Sequence, residues 1–206
     1  MPKLIDKPAR ERLIGEAAWR VVVRDGITRL SVRKVAAEAG IAAGSLRYLF
    51  PTQESLRAYV LDLVRQRVID RIIALQPQES VRRTVEDYLS QLLPLNAERR
   101  VEMEVFLSVG VLAFTDPALQ PAYDRAHQDL RKGCHQALGL LTTDPEYRGL
   151  DPADESARTH AIIDGLALHL LRQRQDEDTS WAIKELARHL DSLAIGGNAP
   201  TENTTR

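Results

Sequence analysis

The spacing of apolar residues constrains the fold of this 206-residue chain more than any other feature. Apolar side chains recur three and four positions apart along nearly the whole sequence, and runs of period-two alternation bounded by turn residues are absent. The first spacing places side chains on one face of an α-helix, whereas a strand needs alternation. The sequence therefore predicts an all-α protein, and its length allows one substantial core or two small domains.

Glycine, proline and capping residues set the expected helix limits. Ser31 is suited to cap the second helix and Gly40 to end it, while Gly26 is expected to take the left-handed position after the first helix. A segment rich in Asp, Pro and Gly, residues 142–155, reads as a loop. The expected helices cover about 8–25, 32–39, 42–50, 52–75, 79–93, 98–114, 118–141, 154–174 and 180–195.

Charge is distributed unevenly along the chain, although the net charge is only −1. Residues 1–71 hold 14 Lys and Arg against 8 Asp and Glu, a net charge of +6, whereas the remaining residues hold 14 against 21, a net charge of −7. A basic first third on an acidic body suggests that the N-terminal part meets a polyanion. Charge alone does not distinguish this reading from a solvated helix face.

The sequence favours a cytoplasmic protein that does not cross a membrane. No window approaches the roughly 18 to 20 consecutive apolar residues that a membrane span requires, and the N-terminal run MPKLIDKPARER lacks the apolar core of a secretory signal. The single cysteine, Cys134, excludes an internal disulfide and fits a reducing compartment.

The stretch AAGSLRYLF, residues 42–50, follows a helix and a glycine-containing turn with the spacing of a helix-turn-helix. A helix that enters DNA needs a small, polar outer face, and residues 42–44 are small. Ser45 and Tyr48 can hydrogen-bond the phosphate backbone, and Arg47 can pair with a phosphate or bind guanine O6 and N7. The residues expected to point inward are Leu46, Leu49 and Phe50.

The run LSVRKVAAEAGIAAGSLRYLFPTQESLRAYVL, residues 30–61, resembles the DNA-binding domain of TetR-family transcriptional regulators. The resemblance implies a three-helix DNA-binding domain at residues 8–68, with its helix-turn-helix at about 31–50. It also implies a larger helical domain at residues 69–195 that binds an effector and forms the dimer. The polar tail, residues 196–206, is expected to be disordered.

The same resemblance gives the candidate DNA-binding residues. They are Ser31, Arg33, Ala43, Gly44, Ser45, Arg47, Tyr48 and Gln53. Ser31 and Ser45 correspond to phosphate contacts, and Arg33 corresponds to a base or phosphate contact. Many relatives carry an aromatic residue where Arg47 stands and a lysine where Gln53 stands. The DNA sequence that is read is therefore left open.

The later helices resemble the BetI-like branch of the family in the runs RRVEMEVFLSVGVLAFTDPAL and IIDGLALHLL. A helical bundle with mostly apolar walls and few polar groups suits a small organic effector. Five residues are expected to flank such a pocket, although each also suits an ordinary core. The candidate pocket residues are Met103, Phe106, Phe114, Tyr123 and His127.

The helix expected at 154–174 is apolar on more than one face, which predicts burial on two sides. In the TetR family, the last two helices of each subunit pack into a four-helix dimer interface. The resemblance therefore implies that these helices form a homodimer. The candidate interface residues are Asp164, Gly165, Leu166, Leu170, Trp181, Leu186 and Leu190.

Neither catalysis nor metal binding is expected from the sequence. It contains no G-x-S-x-G, H-E-x-x-H, phosphate-loop or dinucleotide-binding motif. His127, Cys134 and His135 share a helix face, yet no C-x-x-C motif or carboxylate–histidine pairing supports a site. No metal and no cofactor is therefore expected.

Three functions agree with this pattern. The resemblance favours a homodimeric repressor that leaves a palindromic, double-stranded DNA operator when an effector of unknown identity binds. A helical sensor or adaptor that acts mainly through a protein partner, with weak DNA binding, is the alternative. Activation is also open, because it depends on where the operator lies relative to a promoter.

Overall fold

The computed structural model describes residues 7–195, with side chains from Ala9 onward. Nine α-helices occur in this range: α1 Lys7–Asp25, α2 Val32–Ala39, α3 Ala43–Leu49, α4 Gln53–Ile73, α5 Val81–Ser90, α6 Ala97–Ala113, α7 Gln120–Leu141, α8 Pro152–Arg172 and α9 Ser180–Ser192. Two 3-10 turns lie at Ile27–Arg29 and Pro145–Tyr147. No strand occurs among these residues. The prediction of an all-α fold is confirmed.

Local chemistry explains the limits of α2. The Ser31 hydroxyl oxygen accepts a hydrogen bond of 3.3 Å from the Lys34 amide, and Gly40 ends the helix in the left-handed conformation with φ 65° and ψ 30°. Both assignments follow the prediction. Gly26 also has a positive φ, 78°, but its ψ of 160° is extended. It therefore starts the first 3-10 turn and does not form the expected left-handed helix end.

The segment predicted as a loop, 142–155, is more ordered than expected. It contains the turn Pro145–Tyr147, and α8 already begins at Pro152. The Asp151 carboxylate accepts a hydrogen bond of 2.8 Å from the Ala153 amide, which caps α8 in front of its first-turn proline. Proline in the first helical turn loses no internal hydrogen bond, so Asp151 and Pro152 together start a helix.

The described chain divides into two compact units. The first comprises residues 7–69 and 97–127, and the second comprises residues 70–96 and 128–195. Fully buried residues of the first unit include Ala17, Val21, Val35, Leu46, Leu56 and Val60. Those of the second include Val85, Leu89, Leu138, Ala182, Leu186 and Leu190. The functional domain limits 8–68 and 69–195 stay predictions, and the tail 196–206 lies outside the described residues.

Among the described residues, every helix is too short or too polar to cross a bilayer.

Candidate nucleic-acid interface

Helices α2 and α3 form the predicted helix-turn-helix. Helix α2 packs against both α1 and α3. Leu46 is the residue that buries α3, with no exposed surface, and Val35 on α2 is equally buried. Burying a leucine contributes about 2 kcal/mol, so Leu46 stabilises the packing of α3 on its neighbour.

Only part of the predicted inner face of α3 is buried. Leu49 is 45% exposed, so its predicted inward position is wrong. Leu49 is the last residue of α3, and from there the chain turns towards α4. Phe50 is half-buried, and its ring centroid lies 4.8 Å from that of Tyr59 on α4. Phe50 therefore joins the end of α3 to α4.

The outer face of α3 is small, polar and open to solvent. Residues 42–45 are exposed, Arg47 is exposed and Tyr48 is 87% exposed. A Cβ atom added at Gly44 would meet no other atom within 4 Å. Such a face offers a guanidinium and a phenol to a ligand without steric obstruction from its own chain.

Basic residues near this face fall into two groups. Arg20 and Arg24 pair with Glu38 at 2.7 and 2.8 Å, and Lys34 pairs with Asp25 at 2.7 Å. These contacts join α1 to α2. The Arg24 guanidinium lowers the pKa of Glu38, and the Lys34 ammonium lowers the pKa of Asp25, each chiefly through a hydrogen bond. Both carboxylates are therefore ionised, and the basic residues paired with them are less available to DNA.

The second group consists of exposed arginines: Arg29, Arg33 and Arg47. Within the described part of the chain, none of the three forms an ion pair with a carboxylate. Their charge is therefore available to phosphates. Arg29 is absent from the predicted contacts, although it precedes Ser31 by only two positions. Its position at the end of a 3-10 turn is visible only in the structure.

Ser31 and Gln53 also have roles within the fold. Ser31 uses its oxygen as an acceptor at the start of α2, which leaves its hydroxyl proton able to donate to a phosphate. The side-chain nitrogen of Gln53 donates to the carbonyl oxygen of Leu30. Gln53 thereby ties the start of α4 to the residue before Ser31. Its contact with DNA stays a prediction.

The structure brings three of the five candidate pocket residues together. The ring centroids of Phe106 and Tyr123 lie 5.3 Å apart, and Tyr123 stacks on His127 at 6.1 Å. Gly110 permits this arrangement, since a Cβ atom there would lie 2.6 Å from the Tyr123 ring. We call Phe106, Tyr123 and His127 the aromatic stack.

The other two pocket candidates differ from the aromatic stack. Met103 is half-buried on α6. Phe114 is 82% exposed because α6 ends at Ala113 and the helical phase no longer directs the next residue inward. Phe114 therefore does not fit the predicted pocket. The described residues contain no group of three His, Cys, Asp or Glu side chains placed to hold a metal.

The candidate interface residues divide by burial. Four leucines are at most 8% exposed within one chain: Leu166, Leu170, Leu186 and Leu190. Because they fill the chain's own core, they do not fit the prediction that they face a partner. The half-buried Trp181 donates from its indole nitrogen to the Gln173 side-chain oxygen at 3.0 Å. Asp164 is exposed, and a Cβ atom added at Gly165 would meet nothing within 4 Å.

Both parts of the chain match known families. The model described as "Bacterial regulatory proteins, tetR family" matches residues 14–60, and the model described as "BetI-type transcriptional repressor, C-terminal" matches residues 78–194. The curated HTH-type transcriptional regulator PksA of Bacillus subtilis (strain 168) is 31% identical over 206 residues, which cover 98% of each chain.

Solved structures share the fold. A putative transcriptional regulator from Saccharomonospora viridis, in complex with choline, has a TM-score of 0.77 at 21% identity, covering 92% of this chain and 99% of that chain. The multidrug binding protein EbrR complexed with ethidium has a TM-score of 0.62 at 28% identity, covering 87% of this chain and 97% of that one.

A helix-turn-helix with an open cationic face, on an otherwise helical body, defines a DNA-binding regulator of transcription. The matches to family models and to a curated relative identify the family of this regulator. The chain belongs to the TetR family of transcriptional regulators. The resemblance inferred from the sequence, including its BetI-like branch, is confirmed.

Proposed function

We propose that this regulator is a homodimeric repressor that binds a pseudo-palindromic operator and releases it when a small organic effector binds. The observation that carries the proposal is the contrast between occupied and available arginines. Arg20 and Arg24 form ion pairs with Glu38, whereas Arg33 and Arg47 are exposed and form no ion pair with a carboxylate of the described residues. A dimer would present two α3 helices to successive major grooves about 34 to 36 Å apart.

An organic cation is the effector class that we favour. Choline and ethidium are the compounds named with the two structural neighbours, and both are cations. The aromatic stack of this chain supplies ring faces of the kind that attract cations. An effector that binds a form with wrongly spaced recognition helices would lower operator affinity by the ratio of its affinities for the two forms.

Salt dependence tests the DNA-binding part of the proposal. Three available arginines per subunit, or about six per dimer, predict that log K falls with log salt with a slope of about −5. Arg29→Ala should flatten this slope by about 2 per dimer and weaken all DNA sequences alike, because a phosphate contact carries no base information. Fluorescence anisotropy measures both salt slopes, with the duplex that the wild-type protein selects from a randomised pool. A shallow slope on that duplex would favour the adaptor alternative.

A face of α8 supports the proposed dimer. Ala161, Gly165 and Leu168 recur at helical spacing, and Leu168 is 50% exposed. Exposed apolar and small residues in a row suit close packing of a second helix. This face replaces the buried leucines as the proposed centre of the contact.

Gly165→Arg should dissociate the dimer. A Cβ atom at position 165 would meet nothing within 4 Å in its own chain, and arginine favours a helix more than glycine does. A charge placed in a packed interface lacks a partner, so we expect the dimer dissociation constant to rise at least about tenfold. Sedimentation velocity measures this. Gly139→Arg on α7 is the matched control, because position 139 is equally open in the chain. Equal dissociation of both variants, or of neither, would contradict this interface.

A further inference from the structure

We infer that Arg67 is a positioning residue that holds α6 against the DNA-binding helices and so keeps α4 in its operator-binding orientation. This inference rests on the proposed function. Arg67 lies on α4 and contacts Trp19 on α1, together with Glu98 and Glu102 on α6. We call these four residues the Arg67 junction. All four belong to the first compact unit.

The contact with Glu102 involves a buried charge. Glu102 is 3% exposed, and its carboxylate lies 3.4 Å from the Arg67 Nε. A carboxylate removed from water is costly unless charged or hydrogen-bonding partners surround it. Arg67 supplies such a partner from a different helix, α4. Displacement of α6 along α4 would therefore weaken the stabilisation of a buried carboxylate.

Arg67 also contacts α1. Its guanidinium carbon lies 4.3 Å from the centroid of the Trp19 ring, within the range of a cation–π interaction. The same guanidinium also pairs with Glu98, one helical turn before Glu102. One side chain thus links α1, α4 and α6. A planar group with five donors can satisfy several partners at once, which a lysine ammonium cannot do in the same geometry.

Helix α6 touches the DNA-binding helices at a second place. It packs against the 3-10 turn Ile27–Arg29, which leads directly to the cap of α2 at Ser31. Helix α4 in turn contacts this region through Gln53 and packs on the end of α3 through Tyr59. The Arg67 junction therefore holds together α4 and α6, the two helices that contact the start of α2 and the end of α3. None of its residues lies on the outer face of α3.

Arg67→Met and Glu102→Gln test the inference. Each removes one charge; Glu102→Gln keeps the size of the side chain, and Arg67→Met keeps an unbranched apolar stem. We expect operator affinity to fall about tenfold in each. The double variant should lose little more than either single variant, because both act on the same contact. Arg67→Lys should recover part of the loss. The salt slope should match the wild type, because a positioning residue neutralises no phosphate.

The matched control is Asp62→Asn. Asp62 on α4 pairs with Arg125 on α7 at 3.3 Å, but both side chains are well exposed, so this variant should bind within twofold of the wild type. The probe is the duplex that the wild-type protein selects from a randomised pool, and circular dichroism confirms that each variant is folded. Wild-type affinity in folded Arg67→Met and Glu102→Gln, or a flatter salt slope in Arg67→Met, would overturn the inference. Failure of the wild type to select any duplex would instead overturn the proposed function.

Discussion

Replacing Arg47 and Tyr48 together by alanine is expected to lower operator affinity by at least about 30-fold. Both residues lie on the open face of α3, and Tyr48 is 87% exposed. Neither contributes to the buried core, which α3 reaches through Leu46. The variant should therefore remain a folded dimer. Gel shift and sedimentation velocity on the same preparation separate the two properties.

The size of this effect follows from the contacts that are lost. A bidentate arginine–guanine contact contributes about 1 to 3 kcal/mol of discrimination, and a dimer makes each contact twice. The expected loss of about 2 to 6 kcal/mol corresponds to a fall in affinity of about 30-fold to 20,000-fold. Arg47→Lys distinguishes the role of Arg47. Lysine preserves a phosphate contact but not the bidentate geometry, so base discrimination should fall more than total affinity.

Arg131→Ala is the matched control for the charge of Arg47. Arg131 is an exposed arginine on α7, outside the helix-turn-helix, and its removal changes the net charge equally. It should leave operator affinity within about twofold of the wild type, since an isolated surface charge contributes little. Binding by the Arg47 and Tyr48 double variant at wild-type affinity would contradict the assignment of α3 as the recognition helix.

Mild acid is expected to destabilise the protein through His189. This histidine on α9 is 7% exposed, and its Nε2 lies 2.8 Å from the Thr159 hydroxyl on α8. Burial, aided by the positive charge of Arg158, lowers the pKa of His189 to about 4. The unfolded chain, with a histidine pKa of about 6.5, takes up a proton at higher pH than the folded chain does.

The direction in which stability changes with pH follows from proton linkage. Between pH 6.5 and about 4, the unfolded state binds the proton and the folded state does not, so the free energy of unfolding falls as the pH falls. The contribution of His189 to this loss is about 1 kcal/mol at pH 5.5 and about 2 to 3 kcal/mol near pH 4.5. Urea unfolding at fixed protein concentration across this range measures it.

His189→Gln should remove this contribution. Glutamine remains neutral and can still hydrogen-bond Thr159, so the difference in pH dependence between variant and wild type isolates the imidazole. His169→Gln, at an exposed position on α8, is the matched control and should follow the wild type. The same pH dependence in His189→Gln as in the wild type would show that His189 does not titrate in this way.

Local chemistry explains why the helices could be predicted from the sequence. Ser31 and Gly40 define α2 through hydrogen bonding and backbone freedom that depend on neighbouring residues alone. The spacing of AAGSLRYLF likewise places Leu46 on the inner face of α3. The motif covering residues 30–61 identifies the family from the sequence alone.

Tertiary contacts explain what the sequence did not reveal. Periodicity predicts that an apolar residue is buried but does not predict which surface covers it. The four leucines predicted to face a partner therefore lie in the chain's own core: Leu166, Leu170, Leu186 and Leu190. Arg67 and Glu102 are 35 positions apart, and no local pattern connects them. Arg29 becomes a candidate because the fold leaves it exposed at the end of a 3-10 turn, which the sequence alone does not show.

The most direct test of the central claim is selection of duplexes by the wild-type dimer from a randomised pool. We expect enrichment of two inverted half-sites whose centres are about 10 base pairs, or a multiple of that spacing, apart. Replacing Arg47 should weaken the sequence preference at each half-site. Recovery of duplexes with no shared sequence, or of a single half-site without its inverted copy, would contradict a symmetric repressor that reads DNA through α3.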